Sequence, residues 1–285
     1  MQTSYAYNGI EPCVHTVTEM ARRACELGMF AAALTDHGPS MPDAPHPWYF
    51  YNLTTLPSRI EGIWLLKGVE ANVRGTDGSL DIEPQEFERM QLDWVIASIH
   101  SDTLCPSLSE DEATQLWLNV AQSPYVDCIG HSESRRHRYD YDAVTKAFAR
   151  CRKVVEINAN SAVVRPGNEE NMRELALACK RNGTKIAVNS DAHSIYHLGQ
   201  FDTVLPMLRE IHFPEELVVN ASRENLITVL KEHQKPVADL LEGSKENENI
   251  YHRCRLGRHN IKAGLVDEAH HIVDSVSCKA KSAAA

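Results

Sequence analysis

Trp94-Val95-Ile96-Ala97-Ser98-Ile99 is a short, largely apolar run that stops at His100. The same grammar recurs along the chain. Ala31-Ala32-Ala33-Leu34 runs into Thr35-Asp36-His37-Gly38, and Ile63-Trp64-Leu65-Leu66 leads through Lys67-Gly68-Val69 to Glu70. Val126-Asp127-Cys128-Ile129-Gly130 ends at His131, and Val154-Val155-Glu156-Ile157 ends at Asn158. Ile186-Ala187-Val188-Asn189-Ser190 ends at Asp191, with His193 close behind. Runs this short, bounded by polar or glycine residues, read as buried parallel strands.

Helical stretches lie between them. Thr18 to Leu27 precedes the first run and stops at Gly28; Glu110 to Ala121 follows Ser109, a good N-cap. Asp142 to Cys151 and Glu169 to Arg181 come next, the latter stopped by Asn182-Gly183. Strand–helix repetition on this scale predicts βαβ units and a parallel sheet, hence an α/β fold. After about Leu241 the pattern changes. Gly243-Ser244-Lys245-Glu246-Asn247-Glu248-Asn249 reads as a polar linker, and Ile261 to Val276 as a short helix before a frayed tail. The expected organisation is one domain over 1–241, followed by a linker and helical tail over 242–285.

A chain of 285 residues with 43% hydrophobic content can bury a full core. Its net charge of −10 disfavours tracking an extended nucleic acid, which needs a basic stripe. The charge leaves room for a small phosphorylated substrate, because bound divalent cations reverse the local field. No stretch reads as a signal peptide or a membrane span, so a soluble protein without membrane partners is expected. The eight cysteines are scattered, with no CxxC pair, which fits reduced thiols in a cytoplasmic compartment.

The informative fact is where the ionisable residues fall. In a β/α barrel the carboxyl ends of the strands converge on one face, so Asp36-His37, Glu70, His100, His131, Asn158 and Asp191-x-His193 would meet in one pocket. A lone histidine at a strand end is ordinarily a hydrogen-bonded rim residue. Six coincident polar strand ends are not explained that way, since burying so many ionisable groups without a metal or partner is costly. Imidazoles and carboxylates together are the ligand inventory of zinc, with manganese and iron as alternatives.

These residues also carry a resemblance. Thr35-Asp36-His37-Gly38, Gly68-Val69-Glu70-Ala71-Asn72, Ala97-Ser98-Ile99-His100-Ser101, Gly130-His131 and Asn189-Ser190-Asp191-Ala192-His193 are similar to the successive motifs of the PHP (polymerase and histidinol phosphatase) superfamily. Asp36-His37-Gly38-Pro39 through Asp43-Ala44-Pro45-His46 to Trp48 and Phe50 resembles the YcdX-like phosphatases within it. The resemblance covers roughly the first 240 residues, and the ordered set is more specific than any single motif. It implies a distorted (β/α)7 TIM-like barrel, a cluster of one to three divalent ions, and hydrolysis of phosphoesters by metal-activated water. The family's first strand carries an HxH motif and a later histidine. Here spacing puts Ser4, Ala6 and Pro12 at those positions, with Glu11, Cys13 and His15 as nearby replacements.

Carried over residue by residue, the resemblance gives one metal position to Glu70, His100 and His131. A second leans on Asp191 and Glu70, and a third on His37 and His193; His15 is an added candidate ligand. Arg165, in Val164-Arg165-Pro166-Gly167-Asn168, is the first choice for phosphate contact, against an ordinary loop arginine; Arg135 and Arg136 rank below it. Asp36 is a candidate for orienting an imidazole or for acid–base work, against a turn cap. His46 and Trp48 are expected to overhang the pocket, Trp117 to serve core or interface, and His270-His271 to be solvated. The expected function is a metal-dependent phosphatase for small phosphorylated substrates. Two competitors are a catalytically impaired binding module, motivated by the missing HxH, and a polymerase-associated nuclease role, which the acidic balance opposes.

Overall fold

The computed structural model describes residues 15–100, 103 and 108–244, together with the backbone of 261–266 and 272–278. Seven strands precede residue 190: β1 (Ala31–Leu34), β2 (Arg59–Ile60), β3 (Ile63–Asn72), β4 (Trp94–Ser98), β5 (Cys128–Ile129), β6 (Val154–Asn158) and β7 (Ile186–Asn189). They form one sheet in the order β1-β3-β4-β5-β6-β7, every neighbour in that path parallel. β2 adds to β3 as a two-residue antiparallel hairpin, turning at Glu61 and Gly62 with φ of 50° and 89°. Two successive positive φ values match the twist of a tight hairpin, and glycine takes the second without penalty.

Parallel neighbours need crossovers. The helices are α1 (Val17–Glu26), α2 (Trp48–Asn52), α3 (Pro84–Met90), α4 (Glu110–Ala121), α5 (Tyr141–Arg150), α6 (Ser161–Val164), α7 (Glu169–Asn182), α8 (Leu205–Glu210), α9 (Arg223–Glu232) and α10 (Val237–Gly243). α1 and α4 start on reciprocal capping boxes, Thr16 with Glu19 and Ser109 with Glu112, which satisfy otherwise orphaned N–H groups. Gly28 and Gly183, the predicted stops, adopt φ of 72° and 67°.

The pleat sorts side chains to two faces. On β6, Val155 and Ile157 join Trp117 of α4, Phe148 of α5 and Leu175 of α7 in the largest core cluster. Val154 faces the other way, with Leu66, Trp94, Ile96 and Ala187 from neighbouring strands. Trp117 is thus core, 1% exposed. Burying a side chain of this kind stabilises by about 1.5–3 kcal/mol relative to leaving it exposed. The sheet therefore curls, apolar on both faces, into an α/β, TIM-like half-barrel. Among the described residues β1 and β7 do not pair, so the ring is open at that seam. A cavity of about 150 Å³ lies inside, lined by Ala31 and Ala33 of β1 and Ala187 and Val188 of β7, with Glu70 and Glu156 also on its wall.

The C-terminal helix expected over Ile261 to Val276 is corrected. β8 (Ile261–Val266) and β9 (Ile272–Cys278) form an antiparallel pair from Ile261↔Cys278 inward. The reason is composition: Ile261, Val266, Ile272, Val273 and Val276 are β-branched, a type that loses rotamer freedom in helices and suits strands. Cys25, Cys128, Cys151 and Cys179 are free thiols. No helix among the described residues is long and apolar enough to cross a membrane.

Candidate metal centre

Glu70 lies near the end of β3, 6% exposed, and three histidines surround it. Its Oε1 is 3.0 Å from His131 Nε2 and 3.5 Å from His100 Nε2, while its Oε2 is 3.7 Å from His37 Nε2. The Nε2 atoms of His100 and His131 are 3.2 Å apart. His37, Glu70 and His100 each offer a ligand atom within 4.8 Å of the others. His193 stands behind His37, ring centroids 6.1 Å apart, and Asp191 connects through Asn158 Nδ2, 3.2 Å from its Oδ2.

Local structure fixes these side chains. The backbone at His37 is bridged to β3: Glu70 N–H donates to the Asp36 carbonyl at 2.9 Å and Gly38 N–H to the Glu70 carbonyl at 2.7 Å. Gly130 lets the end of β5 press against β4, since a Cβ there would lie 2.2 Å from Ser98 Oγ. His131 and Asp191 both adopt positive φ, 31° and 46°. Such conformations cost of order 1–3 kcal/mol in non-glycine residues and concentrate at functional sites.

Hydrogen-bond partners at Nδ1 of His37, His100 and His193 set their tautomers. Asn72 Nδ2 donates to the Gly38 carbonyl (3.1 Å) and Asp81 Oδ2 (2.6 Å), so its Oδ1 faces His100 Nδ1 at 2.7 Å and accepts that proton. His37 Nδ1 donates to Asp43 Oδ1 at 2.9 Å, and His193 Nδ1 to the Asp191 carbonyl at 3.0 Å. For His37 and His100 this leaves Nε2 turned toward Glu70 as a possible donor to a cation, which is how metal-binding histidines are held. The donor set fits a divalent ion: buried imidazole nitrogens face one another across a carboxylate, where their lone pairs need a positive charge between them.

The electrostatics agree. Burial opposes charge on His37, but the Asp43 hydrogen bond and the Glu70, Asp43 and Asp191 carboxylates push its pKa up to about 9. Burial, followed by the neighbouring cationic histidines and Arg165, takes His100 down to about 3 against the pull of Glu70. Glu70 stays well below the usual carboxylate range: burial opposes its charge, and the His131 hydrogen bond with the surrounding imidazoles outweighs it. Glu156 goes the other way, to about 7, through burial and the Asp191 charge.

The other candidates divide. Arg165 donates to Ser161 Oγ at 3.3 Å, and its charge lowers the pKa of both His100 and His131. Arg135 instead lies against Gly167 in the loop that follows Arg165, its Nη1 3.0 Å from where a Cβ would stand, and Arg136 is exposed. Asp36 is fully buried and accepts a short hydrogen bond from the Tyr49 hydroxyl. His15 packs its ring edge on Tyr196, centroids 5.8 Å apart, and among the described residues shows no contact with the four central side chains. Glu11, Cys13 and His270-His271 lie outside the described residues. Trp48 is 71% exposed, its indole 5.5 Å from the His46 ring. Sequence reasoning missed Asp43, Asn72, Asp81 and Glu156. The available signal was a lone charge or amide inside a motif or strand, as with Glu156 among Val154, Val155 and Ile157.

No family model matches this chain. Curated relatives do. A probable phosphatase of Acetivibrio thermocellus is 40% identical over 222 residues, 78% of this chain and 91% of that one. Proteins of the same description from Caldanaerobacter subterraneus (39% identical, 78% and 87% covered) and Caldicellulosiruptor bescii (37%, 82% and 94%) are similar. A crystal structure of histidinol phosphate phosphatase from Lactococcus lactis, complexed with zinc, L-histidinol and phosphate, matches with a TM-score of 0.49 at 17% identity, over 71% of this chain and 89% of that one. With identity near 40% across most of both chains, the chain belongs to a family of bacterial proteins described as probable phosphatases.

Proposed function

We propose that this protein is a metal-dependent phosphatase of the YcdX-like type, acting on small phosphorylated substrates in the cytoplasm. The carrying observation is the division of the Glu70 carboxylate: one oxygen faces His100 and His131, the other His37. A bridging carboxylate between two ion positions has this form. His100 and His131 with Glu70 Oε1 would hold one ion, and His37 with Glu70 Oε2 another, with Asp191 and His193 alongside. Zinc suits this nitrogen–oxygen donor set, with manganese or iron as alternatives. When bound, a divalent ion supplies a water of lowered pKa and positive charge against phosphoryl oxygens.

The chain's own residues do the rest. Arg165 would bind a phosphoryl oxygen, using the planar guanidinium that suits phosphate; its charge acting on His100 and His131 supports this reading. Asp36, buried and tied to Tyr49, orients the His37 segment more readily than it exchanges protons. His15 would enter only with a movement of its ring off Tyr196. The catalytic unit is residues 1–241, with 242–285 accessory to it. Hydrolysis of p-nitrophenyl phosphate by protein loaded with zinc, manganese or iron tests the reading. Metal-dependent turnover abolished by a chelator is expected. Tight metal binding with no turnover on a panel of phosphomonoesters would favour the binding-module alternative.

A further inference from the structure

Glu156 stands inside the curl of the sheet, 4% exposed, one pleat above the apolar layer that contains Val154. No described lysine or arginine pairs with it. A carboxylate kept in such a place carries a desolvation cost of several kcal/mol, so its bonding pattern is informative. Its Oε2 accepts the His131 backbone N–H at 2.8 Å and Asn158 Nδ2 at 3.2 Å, and its Oε1 accepts Asn189 Nδ2 at 2.8 Å. One side chain thus ties the carboxyl ends of β5, β6 and β7. Asn158 passes the restraint on, because its Nδ2 also meets Asp191 Oδ2 at 3.2 Å while its Oδ1 accepts the Asn160 N–H at 2.8 Å. The two residues so reached, His131 and Asp191, are the candidate ligands with left-handed backbones.

We infer that Glu156 is a positioning residue: it pins the strained backbone of His131 directly, and Asp191 through Asn158, and so sets the spacing of the metal centre. The inference rests on the metal-centre reading above. Its physical content is hydrogen-bond matching. Three donors converge on one carboxylate, which alone among side chains offers acceptors at both oxygens and no donor. Leucine removes all three acceptor contacts, whereas glutamine keeps the two bonds at one oxygen and donates to Asn189 once that amide turns its Oδ1 inward. Released from its anchor, His131 would relax toward ordinary φ, carrying its imidazole away from Glu70 Oε1.

The test is zinc binding by calorimetry on the metal-free full chain, with thermal melts alongside. Glu156→Leu should raise the zinc dissociation constant about 10- to 100-fold, the usual cost of losing a group that orients a ligand. It should lower kcat at saturating zinc with little change in KM. Glu156→Gln, with the Asn189 amide turned, leaves every donor an acceptor, and affinity should stay within a few-fold of wild type. Glu156→Met carries the same expectation as leucine should the leucine variant fail to fold. Wild-type affinity in folded Glu156→Leu or Glu156→Met would overturn the inference. Loss of a bound ion in Glu156→Gln as well as Glu156→Leu would also overturn it, by making Glu156 a ligand. Absence of zinc binding by the wild type would instead sink the metal-centre reading itself.

Discussion

The two ends of the half-barrel handle buried charge in opposite ways. At the amino ends of the strands, Asp127 is 3% exposed and every group around it is answered. Its Oδ1 meets His233 Nδ1 at 2.8 Å, and its Oδ2 takes Lys235 Nζ at 2.7 Å and the Val95 N–H at 2.8 Å. The other ring nitrogen of His233 meets the Arg152 carbonyl at 2.5 Å, and the ring stacks on Trp94. At the carboxyl ends, three imidazoles turn their Nε2 atoms toward one carboxylate and, for His100 and His131, toward each other. The same residue types pair off separately in one place and converge their ring nitrogens on a shared carboxylate in the other. In barrels of this class the first pattern belongs to stability and the second to chemistry.

Breaking either end should therefore have different consequences. Asp127→Ala leaves His233 and Lys235 buried without their anion. It should cost about 3–5 kcal/mol in urea unfolding, the range for removing one partner of a buried pair, with turnover per folded molecule unchanged. Glu70→Gln is the converse: circular dichroism should be near wild type, while turnover falls at least about 100-fold through loss of a metal's activation of water. A fold collapse in Glu70→Gln, or lost turnover in folded Asp127→Ala, would erase the contrast.

Asn72→Ala sharpens it further. Without the Asn72 acceptor the His100 ring is free to rotate and change tautomer, so zinc affinity should drop about 10- to 100-fold, with a lowered melt as well because the Gly38 carbonyl and Asp81 lose a buried donor. pH acts on the same set of side chains. His37 has a folded-state pKa of about 9 against 6.5 in the unfolded chain. Its contribution to the stability of the metal-free protein is therefore full below 6.5 and lost as pH rises through 9. Zinc must displace that proton, so affinity should rise between pH 6.5 and 9 by at most about tenfold per unit. Proton release measured calorimetrically in buffers of different ionisation enthalpy checks it; a flat profile would contradict it.

Much of the centre was legible in the sequence because strand ends and ligand types are local. The run before His100, the glycine before His131 and the capping box at Ser109 each report their own position. What holds the ligands was not legible. Asp43 to His37, Asn72 to His100 and Glu156 to His131 are hydrogen bonds across 6, 28 and 25 residues, set by strand register and loop path. The segment over Ile261 to Val276 reads as a helix but forms β8 and β9, in keeping with its β-branched residues. The β2 hairpin was missed because a two-residue strand has no period to detect.

The most direct test is anomalous diffraction at the zinc edge from crystals of zinc-loaded protein. The account predicts two peaks flanking Glu70, one within about 2.0–2.2 Å of Glu70 Oε1 and the Nε2 atoms of His100 and His131, the other beside Oε2 and His37 Nε2. No peak within bonding distance of Glu70, in crystals where zinc is bound elsewhere, would contradict it.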